Sequence, residues 1–319
     1  MNRALLKKCL IESILLLLAC CTAMLLLCWL HVWFVSRLEM GEFAKVIEPL
    51  WKKYNKFSPV DLSQLLTYPG RIARAYSEPM VTLCIAVWAI ARGSDCVSGE
   101  IGRGSMEILL AQPVSRTTAL FNHTIITFVG LVLLTMCSWL GIYTGIQRAE
   151  IKETTTPSVS IMGFRVPIPL TKTKTEMVPM RDRANPVLFA YPAINLFFLG
   201  FCLAGLTAMM SSWDRYRWRT IGIVIAIWII QVTFRVMAMT LEEYQWLGYC
   251  TLFTAYDPEV IVAIASTAPE QVWNFVRETE PGQTRLAPMG YNAILASLGV
   301  IFYIAAFVIF RRRDIPAPL

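Results

Sequence analysis

The sequence predicts an all-α integral membrane protein with six transmembrane helices, both termini in the cytoplasm, and short amphipathic helices outside. Three observations predict it. Of 319 residues, 56% are apolar and only 16% charged, whereas soluble domains carry roughly a quarter charged residues. The apolar excess is gathered into blocks of about twenty residues, the length that crosses a bilayer core. The cations collect at the ends of those blocks. This excludes a secreted disulfide scaffold, a disordered chain and a free cytosolic enzyme. The net charge of +7 has no single soluble face to sit on, so topology and lipid head groups explain it and nucleic acid does not.

The first block, Ile14–Val35, follows Arg3, Lys7 and Lys8. It is far longer than the roughly 7–15 apolar residues of a cleavable signal. The Leu-Leu-Ala-Cys run at 17–20 is followed by fifteen further residues of the same block, so an uncleaved anchor is expected. The second block, Pro79–Ala91, covers only about 20 Å as a helix. It must borrow turns from Ile72–Glu78 or from the segment after Arg92, which gives a span over about 74–93. Ala119–Ile146, Pro186–Met210, Thr220–Thr240 and Tyr291–Phe310 are each long enough to cross and are bounded by charge or by Pro and Gly.

Loop charge fixes the direction. The short pieces 1–13, 92–118, 211–219 and 311–319 hold twelve Lys/Arg in 58 residues, and the long loops 36–78, 147–185 and 241–290 hold sixteen in 132. The denser side is cytoplasmic by the positive-inside rule. Omitting the short second span would place Arg311–Arg313 and the 214–219 loop outside. The whole chain, 1–319, is read as one transmembrane domain.

Long loops carry structure of their own. Glu39–Lys56 and Pro59–Tyr76 have helical spacing and are expected to lie on the outer membrane surface. Residues 158–178 alternate and contain Pro167 and Pro169, which predicts a hairpin or extended flap. The acidic loop 241–290 is broken at Asp257-Pro258, and a re-entrant or interfacial helix pair is expected there. Most of the nine cysteines fall within apolar runs, where thiols behave as small hydrophobes. Cys250 alone is expected to face the oxidising side, without a mate.

The most informative stretch is the loop 94–118, in particular Ser98–Arg116. Met106–Gln112 reads as a short helix with Ser105 as N-cap and Glu107 in its first turn, ended by Pro113. Ile108, Leu109 and Leu110 are too apolar for a solvated loop and need the membrane surface or a partner. Residue chemistry leaves both open.

Glu100, Gly104, Ser105, Glu107, Leu109, Leu110, Pro113, Ser115 and Arg116 together resemble the first cytoplasmic loop of ABC-2 type permeases, the membrane subunits of a large class of ABC transporters. The six-span plan and the Phe310–Asp314 ending are similar to that family too. Ser105 stands where Thr is commoner, and the 147–185 insertion is longer than in the simplest members. The resemblance implies that the loop is a coupling helix docked on an ATP-binding subunit, with Glu100, Glu107 and Arg116 setting register there. It implies a dimer with a second permease subunit, identical or related, two ATP-binding subunits per complex, and residence in the cell (inner) membrane, surrounded by lipid. Export of a substrate is the expected activity; a non-transporting scaffold that passes ATPase motion to an extracytoplasmic partner is the alternative.

The loop Asp214, Arg215, Arg217, Arg219 is either a second contact for the ATPase or a topology anchor flanked by Trp213 and Trp218. Asn122, His123, Asn195 and Gln231 lie within spans, as substrate-path groups or, more commonly, interhelical glue. Arg235 can snorkel to head groups. Gly200, Ala204 and Ala208 form a small-residue stripe for packing within the subunit or at a dimer seam.

The chain is not expected to be an enzyme or to hold a cofactor. It has no Gly-Lys dipeptide for a nucleotide loop, so Mg-ATP is assigned to the partner. Its two histidines, His31 and His123, are far apart, and it has no Gly-x-Ser-x-Gly elbow.

Overall fold

The computed structural model describes residues 3–38, 49, 51, 62–106, 115–155, 158–161, 164–167, 174–280 and 283–313. Among these residues, six helical segments are long and apolar enough to cross a membrane: Leu5–Arg37, Tyr68–Gly102, Arg116–Arg148, Pro186–Trp213, Arg217–Thr240 and Pro288–Arg312. They correspond to the six predicted blocks, each extended by a few residues at one or both ends.

The helices are α1 (Arg3–Arg37), α2 (Tyr68–Ser77), α3 (Pro79–Ser94), α4 (Arg116–Arg148), α5 (Ala190–Trp213), α6 (Arg217–Thr240), α7 (Pro258–Thr267) and α8 (Pro288–Arg312). The second span is composite. Thr67 caps α2, its hydroxyl accepting from Gly70 N at 3.1 Å. Pro79 breaks the helix at Glu78 because its ring removes an amide donor. Beyond α3 the chain widens into a π-helical turn, Asp95–Gly99, and closes with Glu100–Gly102. The short block therefore borrows turns at both ends.

The centre of the bundle is α5, packed against α8, α3 and α4, while α1 lies along α4. Trp88 is fully buried between these layers and donates its indole N–H to the Thr127 carbonyl at 3.1 Å. The stripe Gly200, Ala204, Ala208 is buried within the subunit, Gly200 facing Ile85 and Leu131. A second small-residue pair, Gly141 and Gly145, went unread in the sequence. A Cβ at Gly141 would stand 2.5 Å from the Leu25 carbonyl oxygen, so only glycine lets α4 approach α1 this closely. In contrast α6 is barely covered, with only Thr220 and Val224 buried.

Among the described residues, the roots of the short connections meet at one end of the bundle, called here the terminal end, through Lys8–Glu100, Arg217–Asp95 and the Arg313 contacts; the described parts of the long loops occupy the other. At the loop end, strands β1 (Glu150–Thr155) and β4 (Lys174–Pro179) pair antiparallel, as do β2 (Ser158–Ile161) and β3 (Phe164–Pro167). The expected hairpin is present and longer than predicted. The 241–290 loop folds into 3₁₀ turns (Glu242–Cys250, Leu252–Ala255, Pro269–Trp273), α7, and a hairpin of β5 (Val276–Glu280) with β6 (Gln283–Leu286). The chain is broken at Asp257-Pro258 as predicted, and α7 begins there.

Two expectations are corrected. The helix α2, expected on the membrane surface, is packed inside: Tyr68, Arg71, Ile72, Ala73, Ala75 and Tyr76 are buried. Its apolar face meets protein because Arg71 donates to the Val35 and Leu38 carbonyls at 3.3 Å and the Tyr256 hydroxyl donates to the Tyr76 carbonyl at 2.7 Å. Arg235 does not snorkel; it pairs with Asp257 at 2.5 Å. Most of the predicted helix Glu39–Lys56 lies outside the described residues. All nine cysteines are free thiols, and Cys250 is exposed.

Candidate functional site

The site is the root of the 94–118 loop, where the second span ends. A π-turn leaves backbone amides out of the regular helical ladder. Ser211, on α5, takes them up: its Oγ accepts from Ser98 N at 2.9 Å and Val97 N at 3.3 Å, and donates to the Ser94 carbonyl at 3.1 Å. The turn swings two carboxylates, Asp95 and Glu100, into the protein.

Glu100 is completely buried. Removing a carboxylate from water costs several kcal/mol unless it is paired and hydrogen-bonded. Glu100 has both: Lys8 Nζ donates to its two oxygens at 3.2 and 3.0 Å, Arg103 donates at 3.0 Å, and the Ser105 hydroxyl donates to Oε2. Asp95, almost as buried, receives Arg103 at 2.6 Å, Arg92 at 3.2 Å and Arg217 at 3.3 Å. Burial works against the charge on Arg103, but the hydrogen bond and field of Asp95, then Glu100, raise its pKa above the usual arginine range.

His123 closes the cluster. Arg92 donates to its Nδ1 at 3.3 Å. A guanidinium can only donate, so Nδ1 carries the lone pair and the proton sits on Nε2, 3.3 Å from Cys9 Sγ and 3.8 Å from Glu100 Oε1. The network thus joins α1 through Lys8 and Cys9, α3 through Arg92, the loop root through Asp95, Glu100 and Arg103, α4 through His123, and α6 through Arg217.

The predicted loop residues divide into three groups. Glu107, Leu109, Leu110 and Pro113 lie outside the described residues. Gly104 has φ +71°, a left-handed turn that favours glycine. Ser115 caps α4, accepting from Thr118 N at 3.2 Å, while Arg116 donates to the Arg313 carbonyl at 2.5 Å. Ser105, expected to cap a following helix, turns its hydroxyl back onto Glu100. Glu100, expected to set register on a partner, is buried inside this chain.

In the 211–219 loop, Asp214 accepts from the amides of Arg215 and Tyr216 at 2.7 and 3.1 Å and pairs with Arg219 at 3.3 Å. Arg313 ties this loop to α8 by donating to the Ser212 and Asp214 carbonyls at 3.0 Å. Arg217 leaves the loop to join Asp95.

The four intramembrane polar residues are held in different ways. Asn195 donates to Asn292 Oδ1 at 2.7 Å and to the Ala255 carbonyl at 3.0 Å. Gln231 accepts from Leu252 N at 2.8 Å. Both act as glue. Asn122 is buried, and among the described residues neither side-chain polar atom has a partner. Sequence reading missed Lys8, Cys9, Arg92, Asp95 and Arg103 as members of the site. The i,i+3 charge pairs Arg92–Asp95 and Glu100–Arg103 were a readable signal, since that spacing pairs side chains only on a continuing helix.

Six apolar helices, with charged groups knitting the short connections into one body, define a multi-pass membrane protein whose terminal end is a preassembled unit. The family model described as ABC-2 family transporter protein matches residues 32–315, and the chain belongs to that family. It is a membrane permease of an ABC transporter, and membership implies association with ABC ATP-binding subunits. Comparison with curated proteins finds none that matches.

Proposed function

We propose that this chain is the permease of an exporter, coupled through the 94–118 loop to ATP hydrolysed on separate subunits. The complex holds two ATP-binding subunits and a second permease subunit, identical or related, in the cytoplasmic membrane with the termini inside. The chain itself performs no hydrolysis, and Mg-ATP is held by the partner. The observation that carries this reading is the buried network at the loop root. A push on residues 104–114 is delivered through Glu100, Arg103 and Asp95 to α1, α3, α4 and α6 together. A loop rooted in this way moves spans as rigid bodies, the kind of switch that packed interfaces allow.

The test is affinity purification of the full chain from native membranes, followed by reconstitution. The expected result is a co-purifying ATP-binding subunit, and ATP-dependent accumulation of a compound in inside-out vesicles, found by untargeted mass spectrometry. An ATPase that co-purifies and hydrolyses ATP while nothing moves would favour the scaffold reading. A chain that captures no ATP-binding subunit would remove the coupling proposal.

A further inference from the structure

A cleft of about 730 Å³ opens at the loop end between α3 and α6, within the size range of ligand pockets. Its flank is apolar and faces outward, with Met80, Leu83, Ile229 and Val232 exposed, so a chain lying in the bilayer can enter sideways. Its floor is Trp228 stacked edge-on to Phe253 at 4.7 Å. Its head is polar and built from two acid–base pairs. Arg235 and Asp257 form a tight pair at 2.5 Å. Arg74 and Glu259 form a loose one at 3.7 Å, with the Arg74 side chain half exposed and Glu259 nearly buried.

We propose that this cleft binds one phospholipid with a zwitterionic head group, its phosphate on Arg74, its ammonium on Glu259, and an acyl chain between α3 and α6. The loose pair exchanges partners: phosphate replaces Glu259 on Arg74, and ammonium replaces Arg74 on Glu259. The Arg235–Asp257 pair remains as a fixed wall, so no net charge is added to the site. A purely anionic head would face two carboxylates, and a purely cationic one two guanidiniums. Electrostatic complementarity therefore selects a head carrying both signs.

The test uses the full chain in its native complex, reconstituted in phosphatidylglycerol vesicles containing a trace of photoreactive probe. One probe is phosphatidylethanolamine with a diazirine high on an acyl chain; the other is the matching diacylglycerol without a head group. The expected result is at least tenfold more labelling of residues 79–83 and 228–236 by the phosphatidylethanolamine probe. That labelling should fall about tenfold in an Arg74→Gln, Glu259→Gln double variant, while labelling around Phe128 and Met136 is unchanged. Equal labelling by the two probes overturns the proposal and needs no variant. A cleft without adducts also overturns it, and is what a second subunit seated on this face would produce.

Discussion

Lys8 and Glu100, 92 residues apart in sequence, meet in an ion pair of 3.0 Å in which the carboxylate is fully buried and the ammonium about one-third exposed. This asymmetry makes the two partners unequal. Lys8→Ala leaves the buried Glu100 carboxylate short of a counter-charge and should destabilise the chain by about 3 kcal/mol. Glu100→Ala removes the buried charge itself and leaves cations that are partly solvated, with Arg103 still on Asp95, so it should cost less, about 1–2 kcal/mol. Thermal midpoints of the purified chain in one detergent would check the order; equal losses would contradict it.

Ser211 is the sole side chain that holds both widened amides of the π-turn among the described residues. Ser211→Ala strands buried donors and should cost about 1–3 kcal/mol. Hydrogen exchange at Val97 and Ser98 should accelerate while exchange in α8 stays unchanged.

Asn122 buries an amide without a partner among the described residues. Replacing it by leucine removes an unsatisfied group at similar size, and stability should rise, by about 1 kcal/mol or more. A lowered midpoint would show that the amide is satisfied in the membrane.

The loop end should respond to pH. Burial pushes Asp257 up to about 6 despite the opposing Arg235, and Glu259 is raised in the same way, with Arg74 and the Ser77 hydroxyl opposing. The buried Tyr256 hydroxyl beside them is raised as well. A carboxyl whose folded pKa exceeds its unfolded value binds its proton more tightly when folded. Its contribution is full below about pH 4 and is lost as pH rises through about 6. Resistance of the 241–290 segment to proteolysis should therefore increase from pH 7.5 to pH 5, by on the order of 1 kcal/mol for Asp257. Asp257→Asn should remove most of that response, and adding Glu259→Gln the remainder.

Glu107→Lys and Pro113→Leu alter the docking stretch beyond Gly104. Both variants should insert normally yet uncouple ATP hydrolysis from transport. Normal transport with normal ATPase recruitment in both would count against the loop's proposed role.

The six spans were legible in the sequence because each pairs an apolar block with cations at its ends. The composite second span was only half legible. Arg92, Asp95 and Glu100 look like loop residues to any hydropathy measure, since a charge reads as solvated until its partner is known. Those partners, Lys8, Arg103 and Arg217, come from three separate stretches of chain. The spacing of α2 was read correctly but its surroundings were not: an amphipathic face fits a bilayer surface and a protein groove equally well. Asn195 was recognisable as a buried polar residue, whereas its mate Asn292, 97 residues on, was not.

Helix α6 is pinned at both ends and nearly bare between them. Arg217 fixes it to Asp95 at one end, and Gln231 and Arg235 clip it to the folded loop at the other. Between these ties it rests on the bundle along one narrow line, with Val224 fully buried and Trp228 against Phe253. Displacement fed in at Arg217 would thus be carried along α6 as a stiff rod to the Gln231 and Arg235 clips, joining events at the two ends of the bundle.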